Sequence, residues 1–262
     1  MKKALFYTLI FLLVQFFVQL LVMTGYTLIT QKPLETMPVT VSIIILVLYS
    51  VVTIVLFVRL GWADVSRSYV RSRPWAVLIW SVVAALGAIV PSLLLQGLLP
   101  EWTGWAKEMA DDTDRVMSEL MMNPAGYFVI ALLPPVVEEL VLRGAVLRSL
   151  LKWKPQHSWA MIAISALIFA LVHMNPAQML HAFLIGLLLG WMYKRTGSIV
   201  PGVAYHWANN TAAYAMFHLY HNPQTLEDII GPGLRPMLLA LGFSLCILVP
   251  ALIQLNQRMR RV

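Results

Sequence analysis

The sequence predicts an all-α, polytopic membrane protein of about eight transmembrane helices, with its polar residues gathered inside the bundle as an active site. Three observations predict this. Apolar residue types make up 60% of the 262 residues and charged types only 12%, where a soluble domain carries about 25% charged residues. Mostly apolar stretches of about eighteen residues or more recur along the chain, each long enough to cross roughly 30 Å of hydrocarbon as a helix. The basic residues also alternate from one inter-span segment to the next in a way that fixes an orientation.

The apolar spans fall at about 4–30, 38–58, 75–99, 125–147, 158–174, 176–193, 199–220 and 236–256. The first follows Met1-Lys2-Lys3 and runs on to about Thr30. That is too long for the apolar region of a secretory signal, so it reads as a retained span. With Lys2 and Lys3 cytoplasmic, Arg59, Arg67, Arg71, Arg73, Arg148, Lys152, Lys154, Lys194, Arg195, Arg258, Arg260 and Arg261 all fall on the cytoplasmic side. The opposite loops hold Lys32, Lys107 and Arg115, with Arg235 at the edge of the last span, and most of the acids. Both termini are therefore expected in the cytoplasm. The net charge of +7 is accounted for by this topology, and no nucleic-acid partner is called for. The single cysteine, Cys246, excludes an intrachain disulfide framework and a cysteine-based zinc cluster.

The whole chain, 1–262, reads as one membrane domain. Its longest polar stretch runs from about Pro100 to Asn123, where Trp102, Trp105, Met109, Val116, Leu120 and Met121 are spread among acids. That pattern predicts an amphipathic helix lying in the interface. Pro134-Pro135 interrupt the fourth span, and Pro201-Gly202 stand near the start of the seventh. Prolines are tolerated in membrane helices where neighbours or water satisfy the carbonyls they free, so these segments are expected to border a wet cavity.

Ionisable residues inside a membrane are costly and mark function by default. Three clusters qualify. In the first, Glu139 and Arg143 are four residues apart and share a helical face, so they can pair. Glu138 points about 100° away and is left free to meet substrate or water. The second is His173, with Phe169 one turn earlier on the same face. The third is His206 with Asn210, whose spacing sets an imidazole and an amide on one helical stripe. Asn209, one step round, is expected to pack between helices. His181 reads as a structural hydrogen-bonding residue; His157, His218 and His221 sit at span ends as interfacial residues. Trp75, Trp153, Trp191, Tyr193, Tyr214 and Tyr220 read as the aromatic belt.

A buried glutamate, two histidines and an asparagine suit hydrolysis. The glutamate can act as general base on water. The histidines can orient that water, protonate a leaving amine or bind a metal, and the amide can hold a developing oxyanion. Glu138, His173 and His206 are also a complete catalytic zinc set. The sequence does not choose between zinc and no metal. His-Glu-x-x-His occurs nowhere in the chain.

Three motifs occur in order: Glu-Glu-x-x-x-Arg at 138–143, Phe-x-x-x-His at 169–173 and His-x-x-x-Asn at 206–210. With Arg143-Gly144 and the run Lys194-Arg195-Thr196-Gly197-Ser198-Ile199, they resemble the CPBP family of intramembrane proteases, also called the Abi or CAAX-protease family. The resemblance spans roughly 134–214, within a motif-bearing core of about 125–220. It departs at Leu142, where many members carry an aromatic. It implies an intramembrane endopeptidase of the bacterial cytoplasmic membrane acting on a membrane-associated peptide or protein, prenylated or not. By position it assigns Glu138 the base, His173 and His206 the water or metal contacts, and Asn210 the oxyanion contact, with Glu139 and Arg143 in support. Two other functions compete: a non-catalytic scaffold or bacteriocin-immunity-type member of the same fold, and an ion-coupled transporter.

The residues must also meet at one depth. At about 1.5 Å per residue, Glu138 and His206 both come out about 10 Å from the cytoplasmic boundary, and His173 about 22 Å from it. They meet only if the fifth helix begins well outside the hydrocarbon and the turn at Met174–Pro176 is buried in protein.

Overall fold

A computed structural model describes residues 1–97, 103–173, 175–220 and 225–259. Of the residues named above, Pro100, Trp102, Met174, His221, Arg260 and Arg261 lie outside the described ones. Helices α1 (Lys2–Thr30), α2 (Val39–Arg59), α3 (Arg67–Arg71), α4 (Trp75–Gly97) and α5 (Trp105–Met122) lead into a rod running from Tyr127 to Trp153. That rod changes its winding three times. It is π-helical over Tyr127–Leu132, α-helical over Leu133–Glu138 (α6), π-helical again over Glu139–Leu147, and α-helical over Arg148–Trp153 (α7). Then come α8 (Ser158–Val172), α9 (Pro176–Thr196), α10 (Val200–Leu219), α11 (Glu227–Ile230) and α12 (Leu234–Arg258). No strand occurs among the described residues.

The outside of this bundle is apolar, and its largely apolar interior holds a buried charged pair. Phe16, Phe17, Leu21, Leu28, Leu239 and Phe243 are among the large hydrophobic residues left exposed on α1 and α12, while Arg143 is 1% and Glu139 0% exposed. A water-soluble monomer does not expose so large an apolar surface; lipid tails would cover it. Among the described residues, five helices are long and apolar enough to cross a membrane, or up to six if a bent pair is counted as one span. The chain is thus a polytopic helical membrane protein. The expected figure of about eight spans adds α9 and α10, which carry His181, His206, Asn209 and Asn210 and are not among the five.

The polar stretch after α4 is helical from Trp105, as its amphipathic pattern predicts, and α5 meets the rod at a bend of 120°. The bend falls at 123–126, where Asn123 turns back to accept a hydrogen bond from the Ala125 amide.

Helices α8 and α9 form an antiparallel hairpin packed through small residues. A methyl group added to Gly186 would come within 2.9 Å of Ala166 Cα, and one added to Gly190 within 2.7 Å of Ile162 Cγ2. Apolar area gives no drive for helices to associate in lipid, so close approach of backbones is what holds such a pair. Asn175, in the turn between them, is 1% exposed. Non-helical backbone is tolerated at membrane depth where it is buried in protein, as Asn175 is.

Candidate active site

The site is built on the rod. Pro134 and Pro135 carry no amide hydrogen, so the Ile130 carbonyl, four and five residues earlier, has neither an α-type nor a π-type helical donor. Asn210 supplies one from α10, donating its amide Nδ2–H to Ile130 O at 3.1 Å. A second tie lies nearby: Trp207 Nε1 donates to the Tyr127 hydroxyl at 3.0 Å, and that hydroxyl pairs with Thr211 Oγ1 at 3.3 Å. Two turns of α10 are thus fastened to the first π-helical stretch. Such stretches are rare and concentrate at functional sites.

The two glutamates stand at the joint between α6 and the second π-helical stretch. Glu139 Oε1 accepts from Arg143 Nη1 at 2.6 Å, the pairing their spacing predicts. Arg143 also lies 4.5 Å above the Phe169 ring and donates from Nη2 to Gly186 O at 3.4 Å. A fully buried guanidinium needs such partners, because removing one leaves an uncompensated charge. Ser165 Oγ donates to Leu142 O at 3.3 Å, supplying a partner to a carbonyl of the π-helical stretch. On the other side, Glu139 Oε2 lies over Gly202. A methyl there would come within 2.7 Å of it, so the glycine is what lets α10 approach the carboxylate.

His206, 5% exposed, sits between the two carboxylates. Its Nε2 is 3.8 Å from Glu138 Oε2 and its Nδ1 is 3.5 Å from Glu139 Oε1. Neither contact is a hydrogen bond, since Glu138 Oε2 and His206 Nδ1 both lack a protein partner. A polar separation of 3.8 Å is one that a single water bridges. Glu138 is the more open of the pair, with its side chain 18% exposed against 0% for Glu139.

Phe169 joins the remaining histidine to this group. Its ring lies 4.7 Å from that of His173 and 5.8 Å from that of His206, edge-on in both cases. His173 Nδ1 is 2.8 Å from Phe169 O. A carbonyl can only accept, so Nδ1 carries a proton, and in the neutral ring Nε2 keeps its lone pair. His173 and His206 therefore share contact with one aromatic ring, although counting from span boundaries separates them in depth.

Among the described residues, no group of three or more His, Cys, Asp or Glu side chains stands close enough together to hold a metal ion. As placed, Glu138, His173 and His206 do not form a closed zinc set.

Sequence reasoning missed several neighbours of the site. His181, read above as structural, lies within electrostatic reach of both His206 and His173. Being an ionisable residue within a span was the signal for it. Tyr49 of α2 is buried within electrostatic reach of Glu138; nothing in its local pattern sets it apart. Asn209 donates to Asn210 Oδ1 at 3.4 Å. His218 meets Tyr214 and Phe217 edge-on at ring separations of 4.5 and 5.3 Å.

Residues 121–212 match the family model described as type II CAAX prenyl endopeptidase Rce1-like, in agreement with the CPBP/CAAX-protease resemblance of the three motifs. The matched segment contains all three motifs and leaves α1 to α4 and α12 outside. No curated protein matches the chain, and no solved structure matches it.

Proposed function

Taking residues 121–212 as a CAAX-endopeptidase-like core, we propose that this chain is an intramembrane endopeptidase that cleaves a membrane-associated peptide or protein with a water activated by Glu138. The observation that carries the reading is the unequal pair of carboxylates. Glu139 is held by Arg143, and Glu138 is left facing His206 Nε2 across 3.8 Å.

In this reading the water lies between Glu138 Oε2 and His206 Nε2. Glu138 takes one of its protons as the oxygen bonds to the scissile carbonyl carbon. The oxyanion that forms accepts from Asn210, whose amide has a second N–H besides the one given to Ile130. The carbon–nitrogen bond then breaks as the proton passes to the leaving amine, by way of Glu138 or His206. His173 offers the lone pair of Nε2 to the water or to the second proton of that water. The donor set as placed does not close around a metal, and no step is routed through one.

A prenylated peptide is the substrate class that the matched family's description names. A leader peptide or bacteriocin precursor would meet the same chamber. The test compares the membrane proteomes of cells carrying the wild-type chain and the Glu138→Gln variant. Shortened products should appear only with wild type, and their full-length precursors should accumulate with the variant. Identical proteomes would remove the endopeptidase reading and favour a binding role for the same fold.

A further inference from the structure

His181, on α9, is an imidazole that the proposed chemistry does not use. Its Nδ1 is buried and has no partner in the protein. A polar group left in that state costs free energy unless something else binds it, and inside a membrane the cost falls on a residue that function retains.

The hairpin register sets this residue level with the site. Gly190 meets Ile162 and Gly186 meets Ala166, so a step of four along α9 matches a step of four back along α8. Carried five residues further toward the turn, the same register sets residue 181 level with residue 171. That is two residues short of His173, or about 3 Å of axial rise. Gly186 also touches Phe169, whose Cδ1 would lie 3.3 Å from an added methyl, and Phe169 is the ring on which His173 and His206 both rest. The electrostatic coupling of His181 to both of those imidazoles agrees with this placement.

We propose that His181 is a positioning residue of the reaction chamber, a third imidazole whose Nδ1 holds the water that Glu138 activates. The inference rests on the endopeptidase reading. It assigns a role to a residue outside the three motifs and gives a binding partner to a buried Nδ1 that has none in the protein.

The test uses the full-length chain in detergent micelles with 15N-labelled histidine. Substituting His181→Asn should remove one imidazole signal set and shift those of His173 and His206, while Glu138→Gln should shift the signals of His181. Unmoved His173 and His206 signals would overturn the proposal. Turnover of a self-quenched farnesylated peptide ending in Cys-aliphatic-aliphatic-Met gives a second measure. His181→Phe should lower kcat by about tenfold or more, the effect of one lost hydrogen bond, with KM and the thermal midpoint unchanged. His181→Asn, whose amide reaches the position of Nδ1, should recover most of the loss. A His181→Phe protein with wild-type kcat beside an inactive Glu138→Gln protein would sink this inference alone, whereas an active Glu138→Gln protein would sink the reading beneath it. Equal losses in the Phe and Asn variants, together with a lowered midpoint, would make His181 merely structural.

Discussion

The amide of Asn210 is hydrogen-bonded to the carbonyl of Ile130 at 3.1 Å, the carbonyl that Pro134 and Pro135 leave without a helical donor. A proline pair in the rod and an asparagine three helices later are thus parts of one device. The prolines open the rod's hydrogen-bond ladder, and the opening fixes the amide that is proposed to face the oxyanion.

This separates two effects of Asn210→Ala. Stranding a buried carbonyl should cost about 1–3 kcal/mol of stability, and loss of an oxyanion donor should cost on the order of a hundredfold in kcat or more. Pro134→Ala returns an amide hydrogen to Ile130. The Pro134→Ala/Asn210→Ala double variant should therefore regain thermal stability without regaining turnover. Recovery of both together would deny Asn210 its oxyanion contact.

Arg143→Ala should lower the yield and the thermal midpoint in detergent, because it strands Glu139 at 0% exposure. Losing one partner of a buried pair costs about 3–5 kcal/mol. Arg143→Lys should restore little, since an ammonium cannot both reach Glu139 and lie flat on Phe169. Normal stability with lost activity would instead give Arg143 a direct part in the chemistry.

Glu138→Gln, His173→Ala and His206→Ala should each abolish turnover of the farnesylated peptide, and a double variant should be little worse than either single one. Groups that act as one unit give such non-additive losses. Conditions that stabilise the fold should rescue Glu139 and Arg143 variants in part and leave Glu138→Gln inactive. A purified Glu138→Gln protein with wild-type turnover would end the hypothesis.

Metal analysis belongs beside that assay. A glutamate-activated water predicts turnover that survives chelators in a protein free of zinc. One zinc per chain, lost in step with activity on His173→Ala or His206→Ala, would move activation to a metal-bound water.

For topology, Cys246 is the single cysteine of the chain, so replacing it with serine gives a clean background for labelling. A cysteine at Asp112, in α5, should react from outside the cell, and one at Arg71 only from the cytoplasm. The reverse pattern would invert the orientation drawn from the Lys/Arg asymmetry.

By itself the sequence determined the membrane class, the positions of the long helices and the Glu139–Arg143 pair. These are local properties: hydropathy is summed along one segment, and residues four apart face each other on one helix whatever surrounds it. It also isolated Glu138, His173, His206 and Asn210, because ionisable and amide residues stand out against hydrocarbon. Only the tertiary structure decided how these residues meet. His206 faces both carboxylates, where their spacing along the rod offered it only Glu138. His173, held apart by counting from span boundaries, shares Phe169 with it. His181 moved from the background to the edge of the site. Each of these turns on how closely two helices pack and in what register. At Gly186, Gly190 and Gly202 that is set by the absence of a side chain, and its consequence for a distant partner appears only once both helices are in place.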